Sequence, residues 1–243
     1  MKTGIFKLLE NKKIAKNTYE WVLSGDISDI TASGQFVNIK LDGFYLRRPI
    51  SVCDAEGDKL TLIFKVVGEG TEKMANAKIG EEFNVMTGLG NGYDLTKAGD
   101  TPLLIGGGAG VPPMYLLARR LRALGKCVTV ILGFGSADEV FYKENFEELG
   151  CKVIVATADG TMGVRGFVTD AMSGLSYSYF YTCGPEPMLK AMYDKSTSEG
   201  EFSFEERMGC GFGACMGCTC ETKYKYKRIC RDGPVLTKEE IVW

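Results

Sequence analysis

The sequence predicts an α+β chain of several domains: an antiparallel β-barrel, then an α/β domain on a parallel sheet, then a small cysteine-rich C-terminal unit. Three observations predict it. Residues 1 to about 98 carry short β-branched and aromatic runs, with Gly and Asp between them. From Thr101 onward, continuous apolar runs alternate with helix-like segments, the pattern of a parallel sheet covered on both faces. Five of the nine cysteines fall between Cys210 and Cys230. At 243 residues, 45% hydrophobic and 25% charged, the chain is long enough for a real core. The same figures exclude a disordered chain, a coiled coil and a collagen-like fibre.

In the first unit, residues 1–98, the candidate strands are Thr18–Leu23, Gly34–Leu41, Arg48–Cys53, Leu60–Val67 and Glu82–Thr87. Short strands at this spacing suit a small antiparallel barrel. In the second unit, residues 99–202, strands are expected at Leu103–Ile105, Val128–Gly133, Lys152–Thr157 and Ser178–Cys183. Helices are expected at Pro112–Leu124, opened by proline, and at Glu139–Leu149 and Glu186–Ser198. The third unit, residues 203–243, is too short to hold a core without a staple.

Charge and composition narrow the chemistry. Net charge is −2, so no basic field exists to neutralise a phosphate backbone, and no nucleic-acid partner is expected. Histidine is absent. That excludes Ser-His and Cys-His nucleophiles, His zinc sites, Rieske centres and His-ligated haem. The N-terminal residues carry no apolar run of signal-peptide length, and Thr101–Ala118 is broken by Gly and Pro. A soluble cytoplasmic protein with no membrane partner is expected. Its cysteines then meet a reducing pool and are not expected to pair as disulfides.

Cys210, Cys215, Cys218 and Cys230 follow C-x4-C-x2-C-x11-C. A C-x4-C-x2-C loop wraps one side of a [2Fe–2S] cluster, and a distant fourth cysteine closes it. Gly211, Gly213 and Gly217 suit a tight loop whose N–H groups face anionic sulfurs. The other reading is a structural zinc site, which usually has two C-x2-C pairs where this segment has one. Cys220 lies two residues beyond Cys218, on the same side of an extended segment. It is either a bystander thiol or a substitute ligand.

Gly106-Gly107-Gly108-Ala109-Gly110-Val111 follows a strand and opens a helix. That context suits a pyrophosphate at a helix N-terminus, although G-x-G-x-x-G fails at Val111; a tight strand–helix turn is the other reading. Arg48-Pro49-Ile50-Ser51, preceded by Arg47, and Lys65 to Thr71 with its Gly70-Thr71 turn complete the candidate motifs. Arginine and a hydroxyl on one strand suit a phosphate and a flavin edge. Solvated surface charge is the alternative for Arg47 and Arg48.

Taken in order, Arg48–Ser51, Gly106–Pro113 and Cys183-Gly184-Pro185 resemble the ferredoxin-NADP reductase superfamily. The C-terminal segment is similar to the electron-transfer subunits of type B dihydroorotate dehydrogenases, in Glu206 to Cys218 and Cys230 to Val235. So are Gly88–Tyr93 and Asp159–Gly163. The resemblance covers essentially the whole chain. It implies a flavin barrel, a nicotinamide domain and a [2Fe–2S] domain, with FAD, NAD and the cluster as cofactors. It places FAD on Arg48, Pro49, Ile50 and Ser51, with Ile63, Phe64, Lys65, Gly70 and Thr71 completing the site. It places NAD against Gly106, Gly107, Gly108, Ala109 and Gly110, and against Cys183, Gly184 and Pro185. Cys183 and Ser51 would lie at the reacting rings, and Cys210, Cys215, Cys218 and Cys230 would ligate the cluster. The implied partner is an FMN-containing dihydroorotate dehydrogenase catalytic subunit, in a heterotetramer with two of each chain. The implied reaction passes electrons from dihydroorotate to NAD+ in pyrimidine biosynthesis. A reductase subunit of another complex, of sulfhydrogenase or transhydrogenase type, shares the same three modules.

Residues also bear on the choice of nicotinamide. A 2′-phosphate needs Arg or Lys partners. The loops after the second and third strands of the α/β domain offer Asp138, Glu139 and Asp159 instead. NAD is therefore expected over NADP, with Lys143 and Arg165 the cations that would oppose this.

Overall fold

The computed structural model describes residues 1–243. Six strands close an antiparallel barrel: β1 (Lys2–Ala15), β2 (Thr18–Ser24), β3 (Phe36–Ile39), β4 (Arg48–Glu56), β5 (Lys59–Lys65) and β6 (Glu82–Leu89), in the order β1-β2-β5-β4-β3-β6. Inward residues alternate along β2, where Trp21 and Leu23 are buried, and along β5, where Leu60 and Leu62 are buried. Phe6, Leu8, Val37, Ile39 and Val85 complete this core. The 14-residue strand β1 is absent from the sequence expectation. Its Lys-rich, Asn-containing sequence hides the pattern, because only Phe6 and Leu8 are fully buried on it. A short helix, α1 (Glu69–Ala75), lies between β5 and β6.

The chain then crosses into a seven-stranded sheet. Its strands are β7 (Leu103–Gly107), β8 (Thr129–Phe134), β9 (Lys152–Thr157), β10 (Val164–Arg165), β11 (Phe180–Cys183) and β12 (Gly200–Ser203), with one more from the C-terminal segment. Helices α2 (Pro112–Ala123), α3 (Lys143–Glu148), α4 (Val168–Ala171) and α5 (Glu186–Lys195) connect them. The strand order is β10-β9-β8-β7-β11-β12, all parallel, so the order in which strands are laid down reverses between β7 and β11. Ligands of open parallel sheets bind at such a switch point, beyond the carboxyl ends of the strands.

The expected helix Glu139–Leu149 is shorter. A 3-10 turn covers Ala137–Glu139, Tyr142 is left-handed at φ 65°, and α3 begins only at Lys143. Side-chain anchors explain this. Asp138 pairs with Lys16 at 3.0 Å, Glu139 pairs with Lys65 at 3.0 Å, and Tyr142 donates to Glu20 Oε2 at 2.6 Å. These ties to the barrel hold the segment open, and helix winding starts where they end.

The C-terminal segment contains a hairpin of β13 (Thr219–Glu221) and β14 (Tyr226–Arg228), then α6 (Ile229–Asp232) and β15 (Val235–Thr237). Strand β15 joins the large sheet, antiparallel to β12. Phe202, Ile229, Cys230 and Leu236 share one buried cluster, so the segment borrows its core from the sheet. No helix is long and apolar enough to cross a membrane.

Glu201 on β12 is 3% exposed. It accepts from the Asp94 N–H at 2.9 Å, and Lys97 Nζ stands 3.9 Å away. Burial pushes its carboxyl up to about 7 from an ordinary 4.5, against the opposing pull of the Asp94 N–H and Lys97. The folded chain therefore holds this proton more tightly than the unfolded chain. Glu201 contributes its full stabilisation below pH 4.5 and loses it as pH rises through about 7. Urea unfolding of wild type and Glu201→Gln at about pH 5 and pH 8 measures this, and wild type is expected to lose up to about 3 kcal/mol more than the variant. Parallel pH profiles would contradict the assignment.

Candidate functional site

Three groups of residues converge where the barrel, the switch point and the C-terminal segment meet. The first begins at Arg48. Its Nη1 donates to Leu46 O at 2.6 Å, and its guanidinium carbon lies 4.6 Å from the centre of the Phe44 ring. A side chain at Gly70 would displace this guanidinium, since a Cβ there would lie 2.1 Å from Arg48 Nε. The Thr71 hydroxyl accepts from the N–H groups of Val67 (2.9 Å) and Gly68 (3.2 Å). The expected Gly70-Thr71 turn is thus the first turn of α1, and Arg48 lies against it. Pro49, Ile50 and Ser51 follow on β4, opposite Asn38, Val37 and Phe36 of β3. Arg47 is not paired with Arg48. It donates to the carbonyls of Asn38 and Asn84 at 3.1 Å each and to Asn84 Oδ1 at 2.6 Å.

The second group faces a cleft between barrel and sheet. Ile63, Phe64 and Lys65 of β5 line it together with Gly108 and Ala109, and with Phe134 and Glu139. The glycine loop packs tightly on the loop after β11. Gly106 is the sheet neighbour of Cys183, a Cβ on Gly110 would lie 2.1 Å from Cys183 O, and Gly184 lies over Gly107. Gly108 differs: at φ +52° it has open space around it. Pro112 and Pro113 carry no N–H, and the Val111 N–H is already bonded to Gly108 O at 3.1 Å. The first turn of α2 therefore offers an anion few donors.

Cys183 is 2% exposed. Burial, with the Glu205 carboxylate, pushes its thiol up to about 12, although the Ser203 side chain opposes this. It is a neutral thiol in the ordinary pH range, suited to packing beside a ring rather than to nucleophilic attack. Lys143 is turned to Glu147 at 2.8 Å, whereas Arg165 packs over Gly160 in the loop after β9. Asp138 and Glu139 are held by Lys16 and Lys65.

The third group is the cysteine loop. Its cysteines stand as two pairs linked through backbone N–H groups, Cys210 with Cys215 and Cys218 with Cys230. The N–H groups of Ala214 (3.2 Å) and Cys215 (3.4 Å) donate to Cys210 Sγ. Those of Cys210 (3.5 Å) and Cys230 (3.4 Å) donate to Cys215 Sγ and Cys218 Sγ. Burial would raise the Cys210 thiol, but the N–H groups of Cys215, Phe212 and Ala214 and the Cys215 thiol outweigh it and bring it to about 6. Arg228 Nη1 holds Gly213 O at 2.9 Å, and its Nε holds Asp232 at 3.1 Å. Paired thiols with N–H donors aimed at sulfur fit a two-iron cluster, in which each iron takes two cysteines, better than one tetrahedral zinc. Cys220 sits in the β13–β14 hairpin opposite Lys227 and lines a different cleft, with Phe204 and Trp243.

Two residues outside the expected set tie the groups together. Asn91 meets Val235 in both directions, Nδ2 to Val235 O at 2.8 Å and Val235 N to Oδ1 at 2.9 Å. Asn38 donates from Nδ2 to Cys210 O at 3.4 Å. A polar residue inside the fully buried strand Phe36–Ile39 was the available sequence signal for Asn38.

A flavin-type barrel joined to a parallel nucleotide-binding sheet, with an iron–sulfur segment on its edge, defines a flavin–nicotinamide reductase fold carrying its own cluster. Comparison with known proteins agrees. Residues 205–242 match the iron-sulfur cluster binding domain of dihydroorotate dehydrogenase B, and residues 104–194 match the oxidoreductase NAD-binding domain. A Fusobacterium nucleatum dihydroorotate dehydrogenase B (NAD(+)) electron transfer subunit is 46% identical over 96% of this chain and 95% of its own. The Bacillus pumilus protein of that name is 43% identical over 99% and 98%. The chain belongs to this family of electron transfer subunits. Among solved structures, a chain of the NADH-dependent reduced ferredoxin-NADP oxidoreductase, studied for flavin-based electron bifurcation, is 28% identical. It covers 99% of this chain and 90% of its own, with a TM-score of 0.90. The Neisseria gonorrhoeae ferredoxin NADP+ reductase with bound FAD and NADP shares the fold, at 18% identity and TM-score 0.69 over 80% of this chain and 90% of its own.

Proposed function

We propose that the chain is the electron-transfer subunit of a dihydroorotate dehydrogenase, accepting electrons from an FMN-containing catalytic partner and delivering them to NAD+. The observation that carries this reading is the position of the cysteine loop. It lies against β3, one strand from Arg48–Ser51, while the glycine loop and Cys183 stand at the switch point beside the barrel. When bound, the groups supply one-electron carriage at the [2Fe–2S] cluster, conversion between single electrons and pairs at FAD, and hydride acceptance at NAD+.

The residues divide the work. Cys210, Cys215, Cys218 and Cys230 hold the cluster, with backbone N–H groups stabilising its negative charge. Arg48, with Gly70 and Thr71 beside it, binds the flavin pyrophosphate, and Pro49, Ile50 and Ser51 with Ile63, Phe64 and Lys65 line the ring. Gly106–Gly110 and Cys183, Gly184 and Pro185 border NAD. Asp138 and Glu139 after β8 are paired with Lys16 and Lys65, which leaves Asp159 after β9 as the carboxylate that disfavours a 2′-phosphate. Hydride exchange needs no protein acid or base, which agrees with a chain that has no histidine. Residues 1–98, 99–202 and 203–243 serve as the flavin, nicotinamide and cluster units. The assembly is a heterotetramer of two chains of each kind, in the cytoplasm. A second reading, a reductase subunit of another complex, draws on the likeness to the ferredoxin-NADP oxidoreductase chain.

Two experiments test this. Cys210→Ser, Cys215→Ser, Cys218→Ser and Cys230→Ser are each expected to lose bound iron and sulfide, and Cys220→Ser to keep both. Full iron in any of the four, or its loss from Cys220→Ser, would refute the ligand assignment. The second mixes the loaded chain with an FMN-containing dihydroorotate dehydrogenase catalytic subunit, dihydroorotate and NAD+, without oxygen. NADH is expected only when both proteins are present, and much less NADPH from NADP+. A loaded pair in which dihydroorotate reduces the partner's FMN but no NADH forms would favour the second reading.

A further inference from the structure

Strand β3 is buried at all four positions, and Asn38 is its one polar side chain, 1% exposed. On one side Asn38 is the sheet partner of Pro49 in β4. On the other, its Nδ2 donates to Cys210 O at 3.4 Å. Because the neighbour is a carbonyl, the nitrogen end of the carboxamide must face it. Gly211 packs directly on the same amide: a Cβ there would lie 2.3 Å from Asn38 Nδ2, and its φ of +76° favours glycine in any case. Arg47 Nη1 fixes the Asn38 main-chain carbonyl at 3.1 Å.

Asn38 Oδ1 is buried and has no partner. A buried unpaired acceptor is destabilising, and leucine of similar size would avoid it. Stability of the barrel therefore does not account for asparagine at this position. What the carboxamide does provide is a directional contact from the Arg48–Ser51 side of the barrel to the first cysteine of the C-x4-C-x2-C loop.

We propose that Asn38 is a positioning residue for electron transfer, holding the Cys210–Gly211 peptide against β3 and so setting the approach of the cluster to the flavin. This deepens the proposed function and rests on it. The flavin and the cluster, when bound, would supply the redox chemistry, the flavin giving up the electron that the cluster takes; no bond forms at Asn38, and its amide neither gains nor loses a proton. Asn38 acts through Cys210, whose carbonyl accepts from its Nδ2.

The test uses the full chain loaded with FAD and cluster, as wild type, Asn38→Leu and Asn38→Ala. FAD, iron and sulfide per chain are measured first, then the EPR signal of the reduced cluster. Stopped-flow absorbance then separates flavin reduction by NADH from the following reduction of the cluster. Both variants are expected to keep FAD and normal flavin reduction. Their cluster signal shifts, and cluster reduction slows by about tenfold or more, as misplaced reacting groups do. Loss of iron with FAD and flavin reduction intact supports the proposal too, because the cluster loop is what Asn38 positions. Unchanged cluster signal and rate overturn it. Loss of FAD together with iron also overturns it, by assigning Asn38 to the stability of the barrel. The functional reading is checked separately on wild type, whose cluster must be reduced after NADH reduces the flavin.

Discussion

The anchoring of the C-terminal segment is the constraint on which the site depends. Residues 203–243 contain a hairpin of three-residue strands, a four-residue helix and one strand, too little to fold alone. The segment is held because β15 completes the edge of the seven-stranded sheet and because Asn91 answers Val235 as a neighbouring strand would. Asn91 N–H adds a bond to Gly233 O at 2.6 Å. Ile229, Cys230 and Leu236 then share a buried cluster with Phe202 and Phe36, residues of the sheet and the barrel. The cysteine loop is thus fixed relative to both other units before any iron is considered.

The junction between barrel and sheet has a similar logic. Ion pairs cross it at Arg119–Asp54 (2.7 Å), Lys16–Asp138 and Lys65–Glu139. Arg119–Asp54 is half-buried, whereas an exposed pair such as Lys16–Asp138 is worth about 0–1 kcal/mol and steers orientation more than it stabilises. Shared burial carries the rest. Leu116 of α2 belongs to the barrel core, and Cys53 and Ile63 of the barrel belong to the core of the sheet. Tyr93, buried on the connection between the two, donates to Thr182 O at 3.2 Å. A reductase that hands electrons across a junction needs this fixed geometry more than it needs a titrating residue, and the buried neutral thiol of Cys183 agrees with that.

Much of this was legible in the sequence. Turn chemistry and β-branched runs showed the strands from Thr18 to Thr87, and alternating apolar runs showed the parallel sheet, because both depend on local pattern. The cysteine-rich segment was legible because a cluster-binding domain demands specific residue types at specific spacings, and residues 205–242 match such a domain. What stayed hidden depends on partners far along the chain. Strand β1 has too few buried positions to show a period. The helix expected from Glu139 is delayed to Lys143 by ties to Lys65 and Glu20, both more than seventy residues earlier. The two prolines read as a helix start also remove the N–H groups that the helix terminus would otherwise offer an anion. Asn38 stands out in sequence only as a polar residue within an apolar run, Asn91 not at all, and their roles come from contacts with Cys210 and Val235.

The central claim is that nicotinamide, flavin and cluster sites lie in one connected route within this chain. Anaerobic titration of the purified, FAD- and iron-loaded chain with NADH, followed by visible absorbance, tests it most directly. The account predicts that NADH bleaches the flavin band and then the cluster bands without any partner present, and that NADPH bleaches neither to a comparable extent. Flavin bleaching with a cluster that stays oxidised, or bands that neither nucleotide changes, would contradict it.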